Sequence, residues 1–203
     1  MAVTISGSTG ISSIDGSAAS PGVRGGDANT GVFYSADAIK FATGGVERAV
    51  INNNGFAVPG HVIQVLQNVK SDTASFAAST TYSDTGLSQI ITPSSASSKI
   101  LCLFSIYVSC SSSGVPYLNL VRGSTNIAQP SGSATNKSTT VSYTAAGAMR
   151  YQSYQFLDSP NTINATTYKV QIKSTGATSY INRYFGSDDY YATSTLTLME
   201  IAG

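Results

Sequence analysis

Charged side chains make up a tenth of this 203-residue chain and nearly cancel, leaving a formal net charge of +1. With no basic surplus there is no surface to gather phosphates or anionic lipid, which argues against nucleic-acid and membrane partners. Ser and Thr together exceed a quarter of the residues, tyrosines outnumber phenylalanines 12 to 7, and Trp is absent, the composition of a β-rich, turn-rich surface protein.

The first residues, MAVTISGSTG, have neither the basic start nor the apolar block of a secretion signal. The expectation is a chain that works where it is made or leaves the cell by lysis. Residues 1–58 are dense in Gly, Ser, Asn and Asp, with short apolar pieces between them, and read as a separate N-terminal β region. Its clearest unit is AIKFATGGVERAVINNNG (38–55), where Gly44-Gly45 supplies the positive φ angles of a two-residue hairpin turn. That turn predicts Ile39 opposite Val50 and Phe41 opposite Arg48. One face of a single hairpin buries too little to stand alone, so this region is expected to find its core in neighbouring chains or a partner protein. Asp27-Ala28-Asn29-Thr30-Gly31 begins like a calcium loop but lacks the later bidentate Glu, and reads as a side-chain-capped turn. GVRGGDANTG lacks the Lys-Ser/Thr of a phosphate loop.

FAVPGHV (56–62) contains the junction, 59–62, because Pro59-Gly60 breaks any regular element. Beyond Pro59-Gly60, in a C-terminal domain bounded at 63–203, strand candidates arrive at the spacing of a jelly-roll-like antiparallel sandwich: 61–69, which begins within the junction, then 88–93, 99–110, 116–123, 148–158, 167–174 and 194–201. The longest apolar run, ILCLFSIYV (100–108), is too short for a membrane-spanning helix and reads as a buried strand. Cys102 and Cys110 share its inward parity about 26 Å apart, beyond disulfide reach, and are expected to be free core thiols. The single histidine, His61, reads as a surface or interface residue. No cofactor and no metal site is expected.

RYFGSDDYY (183–191) breaks strand alternation and is predicted to be a loop. Asp188 and Asp189 are adjacent and would point apart, which does not suit the two flanking carboxylates of a glycosidase. The rings fit two readings: plugs for one end of the sandwich, or a contact loop in which Tyr presents a flat apolar body with a polar tip to sugar faces. Under the second, Tyr184, Asp188, Asp189, Tyr190 and Tyr191 are the candidate contact residues.

The segment GSAASPGVRGGDANTGVFYSADAIKFATGGVERAVINNNGF (16–56) resembles a module of tailed-bacteriophage tail-fibre and virion structural proteins. Residues 81–109, NLVRGST (119–125), 156–171 and STLTLMEIAG (194–203) resemble the C-terminal domain of such fibres. The resemblance implies an all-β, non-enzymatic, intertwined homotrimer located on the virion. It would be anchored to other virion proteins through its N-terminal region, with a C-terminal domain that binds a host surface glycan or protein during adsorption. A capsid decoration or a baseplate or tail joint without receptor contact is the alternative. The chain departs from many relatives in having no heptad repeat, no collagen-like glycine period and no long attachment region ahead of the hairpin module.

Overall fold

The computed structural model describes residues 15–53, 55–186 and 189–203, and every regular element among them is a β-strand. The chain divides into two compact units at His61/Val62. His61 itself is exposed.

The N-terminal unit is an antiparallel meander of β1 (Val23–Arg24), β2 (Gly31–Ser35), β3 (Ala38–Thr43), β4 (Val46–Asn52) and β5 (Gly55–Ala57). Gly44 and Gly45 turn β3 into β4 with φ of 60° and 76°, angles that a two-residue hairpin turn requires and that glycine adopts without penalty. The register differs from the sequence expectation: Phe41 faces Ala49 and Ile39 faces Ile51, because a bulge follows the Ala42–Glu47 pair. The extra residue is Arg48, whose Nε donates to Thr43 Oγ1 at 3.0 Å. The shift places apolar side chains opposite each other along one face, the arrangement that register selection favours. Asp27 caps its turn as expected, accepting from Asn29 N and Thr30 Oγ1. The Thr30 bond first, and the Asn29 bond second, hold its carboxyl below the usual aspartate range.

The C-terminal unit is a jelly roll. One sheet runs β11 (Thr125–Ile127), β10 (Val115–Arg122), β14 (Thr166–Thr175), β8 (Ser79–Ile91), with β12 (Thr140–Val141) also on β10. In the other, β9 (Lys99–Cys110) carries β13 (Arg150–Asp158) along one edge. Its opposite edge holds β16 (Ser194–Ile201) at residues 99–105 and β15 (Ser179–Ile181) at 108–110. Beyond these, β6 (Val62–Lys70) pairs with β16 and β7 (Ala74–Phe76) with β15. Thus β15 and β16 are two pieces of one strand, parted by an excursion over 182–193. Counted as composite strands, successive strands from β6/β7 to β10 alternate between the sheets, which is the double Greek key of a jelly roll.

Strict alternation builds the core. Ile100, Cys102, Phe104, Ile106 and Val108 of β9, Tyr168, Val170 and Ile172 of β14, and Leu196 and Leu198 of β16 all point inward and are buried. Both cysteines are free and buried, and burial pushes the Cys102 thiol well above its ordinary range. The core is crossed by one polar clamp. Arg122 Nη1 on β10 donates to both carboxylate oxygens of Asp158 on β13, at 2.9 and 2.8 Å, and Tyr168 Oη on β14 donates to Asp158 Oδ2 at 2.6 Å. The clamp ties the two sheets together. Burial first, then the bond to Asp158, raises the Tyr168 hydroxyl far above its usual pKa. Glu200 is fully buried, and its carboxylate accepts from Gln64 Nε2 and from Ser94 N and Oγ. Burial alone would raise its pKa, but those bonds together outweigh it and lower it below 4.5.

Two outcomes follow. Asp158→Ala strands the Arg122 guanidinium and the Tyr168 hydroxyl, and urea unfolding should show a loss of about 3 kcal/mol; a change under 0.5 kcal/mol would contradict the clamp. Because the folded-state pKa of Glu200 is depressed, its contribution is present above pH 4.5 and disappears as pH falls through the folded value. Glu200→Gln should therefore flatten the acid limb of the stability profile, measured from pH 6 downward.

Candidate functional site

The excursion that interrupts the β15/β16 strand is the aromatic segment singled out in the sequence, and one residue anchors it. Asn182 takes a left-handed conformation, φ 60°, which Asn tolerates better than most side chains. It is fully buried. Its Nδ2 donates to the carbonyls of Lys70 and Asp72, at 2.7 and 3.0 Å, and its Oδ1 accepts from Ser194 Oγ at 2.6 Å. Its backbone N–H donates to the Tyr107 carbonyl at 3.1 Å. The anchor therefore closes the gap in the neighbouring β6/β7 strand and the foot of the loop together. Above it the two arms stay paired: Tyr184 N donates to the Tyr190 carbonyl, Ala192 N to the Asn182 carbonyl, and Arg183 bridges Tyr191.

The rings divide between the two sequence readings. Tyr184 and Phe185 are half-buried. Phe185 stacks on Tyr180 at 5.5 Å, and the Arg183 guanidinium lies 4.8 Å from the same Tyr180 ring. Tyr184 lies so close over Gly147 that a Cβ there would fall 2.6 Å from its hydroxyl, so Gly147 leaves space that the ring fills. Tyr190 and Tyr191 instead project, 64% and 59% exposed, with the Tyr190 ring edge-on to Tyr184 at 5.8 Å. Asp189 is exposed, and Asp188 lies outside the described residues. The structure thus brings Tyr184 and Tyr190 together in one ring pair and sets Tyr191 on the loop's outer arm. Such a loop offers flat apolar faces with hydroxyl tips. Among the described residues, no three His, Cys, Asp or Glu side chains gather in a way that could hold a metal ion. Sequence reasoning passed over Asn182; its signal was a lone Asn at the point where YIN leaves strand alternation.

A second surface emerges from contrast. The outer face of the first sheet is covered by residues 128–139. There Lys173 is buried between the rings of Tyr82 and Tyr117, 5.0 Å from each, and donates to Asn136 Oδ1 at 3.0 Å. Tyr82 in turn donates to the Lys137 carbonyl, and its hydroxyl pKa is pushed up to about 12, first by burial and then by Tyr117. Among the described residues of this unit, none lies over the outer face of the second sheet in this way.

No family model matches the chain, and no curated protein matches it. Among solved structures it is similar to the Bacillus endospore appendages described as a novel family of disulfide-linked pili, at 14% identity over 72% of this chain and 96% of that one, with a TM-score of 0.31. It is also similar to the infectious bursal disease virus Gt strain structure, at 9% identity over 82% of this chain and 48% of that one, TM-score 0.42. The VP2 subviral particle of the same virus aligns at 9% identity over 82% and 47%, TM-score 0.31. This chain spans about half the length of the two viral chains. None of the three is a tailed-phage fibre.

Removing the anchor and removing the exposed rings should separate cleanly. Asn182→Ala loses three side-chain hydrogen bonds and leaves a non-Gly, non-Asn residue at positive φ, and should destabilise the chain by about 2–4 kcal/mol in urea unfolding. The pair Tyr190→Ala and Tyr191→Ala should cost under about 0.5 kcal/mol each. Equal losses would mean that the exposed tyrosines are structural.

Proposed function

We propose that this chain is a non-enzymatic structural subunit of a phage virion: a homotrimeric tail fibre whose N-terminal sheets pack on one another and whose jelly roll touches the host surface. The observation that carries the reading is an apolar face on the N-terminal sheet that the described residues of that unit leave exposed. With the observed register, Val23, Val32, Phe41 and Ala49 form one row across four strands, and Tyr34, Ile39, Ile51 and Phe56 form a second. Neither row contains a charge, and Phe56 is 53%, Ile39 and Ile51 each 41% and Phe41 38% exposed. The opposite face has the Lys40–Glu47 ion pair, with Lys40 over the buried Phe33 ring.

A sheet with an apolar face needs a second layer to cover it. Copies of the same sheet supply one without any further partner, and the family resemblance supports three. Multivalent display then turns weak contacts through Tyr190 and Tyr191 into firm adsorption, since three linked sites act at high effective concentration.

Light scattering on the purified chain should give three times its 21.0 kDa mass. Phe41→Asp with Ile51→Asp should release monomers while the C-terminal unit keeps its thiols buried. A wild-type monomer at micromolar concentration would overturn the reading, and a dimer would overturn the trimer alone. Tyr190→Ala with Tyr191→Ala should keep the wild-type mass and lose adsorption to host cells; unchanged adsorption would remove the loop from the contact surface.

A further inference from the structure

The outer face of the second sheet in the jelly roll carries a built arrangement of side chains. Registered across the sheet, Ser153, Ser105, Thr195 and Val69 form one row, and Gln155, Leu103, Thr197 and Gln67 form the next. The six of these on β13, β9 and β16 floor an open trough of about 580 Å³, with the Tyr151 ring at its wall. The Tyr151 ring is braced at 5.1 Å against Tyr107 on this outer face, whereas Tyr154, one residue out of parity, stacks at 6.4 Å on the inward-pointing Phe104. Tyr151 stays accessible, at 56%. Ser105 Oγ and Thr195 Oγ1 share a 2.9 Å bond, and Gln67 Nε2 donates to Thr197 Oγ1 at 2.8 Å.

We infer that this trough binds a neutral saccharide chain. A pyranose ring offers an apolar C–H face and a rim of hydroxyls. The braced Tyr151 ring suits the first at little entropic cost, and the Ser, Thr and Gln side chains, each able to donate and accept, suit the second. The lining contains no Asp, Glu, Lys or Arg. It therefore has nothing to neutralise a uronate or phosphate, and nothing to pair with a charged peptide. Two rows along the strands and three strands across give a floor of about 7 by 10 Å, room for a short stretch of a polymer. The site is separate from the Tyr190 and Tyr191 loop. It abuts that loop's foot, because Tyr107, which braces Tyr151, also accepts the Asn182 backbone N–H. The inference needs neither the trimer nor the fibre reading.

The neighbouring row, Leu157, Leu101, Met199 and Val65, is apolar, so the rival occupant is a second copy of the chain. The test is calorimetric titration of the full chain with maltohexaose, cellohexaose and chitohexaose, with hexagalacturonate as the charged control, repeated on Tyr151→Ala and Ser153→Arg. At least one neutral hexamer should bind and hexagalacturonate should not. Tyr151→Ala should weaken binding about tenfold, and Ser153→Arg, which fills the trough, should abolish it. Tyr190→Ala with Tyr191→Ala should leave this binding intact whatever it does to adsorption. Binding by none of the three neutral hexamers, or wild-type affinity in both trough variants, would overturn the inference. So would a fall in assembly mass on Ser153→Arg, which would make the face a contact between copies.

Discussion

A β-sheet with an apolar face must cover it, and the two units of this chain meet that demand in different ways. In the C-terminal unit the inward positions of β9, β14 and β16 close on one another, and the cover is internal. In the N-terminal unit the rows through Phe41 and Ile51 close on nothing within the described residues of that unit. Dispersion and hydrophobic burial scale with covered apolar area, so the C-terminal unit contains its own stability, and in the proposed reading the N-terminal unit draws on other copies of the chain.

That division shapes what the jelly roll can display. Because its core is complete, it tolerates an interrupted strand: β15 and β16 part over 182–193, and Asn182 restores the lost ladder contacts with side-chain bonds to two carbonyls of the adjoining strand. Polar groups inside follow the same logic. Asp158, Glu200 and Asn182 are each buried with several hydrogen-bond partners, which is what keeps a buried polar group from becoming a liability. The surface differs between the two sheets. Residues 128–139 cover one outer face, and the other presents a neutral trough of hydroxyls and amides beside Tyr151.

Much of this was legible in the sequence where alternation was clean. The strands 99–110 and 194–201 have the bounds that their patterns gave, and the shared parity of Cys102 and Cys110 is the parity of the core. Strand β8 is only half visible in the sequence: its end at 88–91 is apolar, while 79–85 consists of Ser, Thr, Tyr and Asp and is followed by Gly86 at a bulge, which together look like a turn. Strand β15 was hidden because three residues show no period, and its continuation lies beyond the loop. The hairpin register slipped by one residue because a bulge at Arg48 depends on what the opposite strand offers, which turn chemistry alone does not report. In the aromatic segment, the pattern showed that RYFGSDDYY is no strand. Which rings pack and which project depended on Gly147 and Tyr180, contacts distant in sequence.

The central claim, that the N-terminal sheet is ordered by other copies of the chain, is tested most directly by amide hydrogen exchange of the full-length protein across a dilution series. Protection in 38–52 should collapse as the assembly dissociates, while amides of 99–110 and 166–175 keep theirs, since their layer is internal. Protection in 38–52 that stays constant at every concentration, in a chain shown to be monomeric at the lowest, would contradict the account.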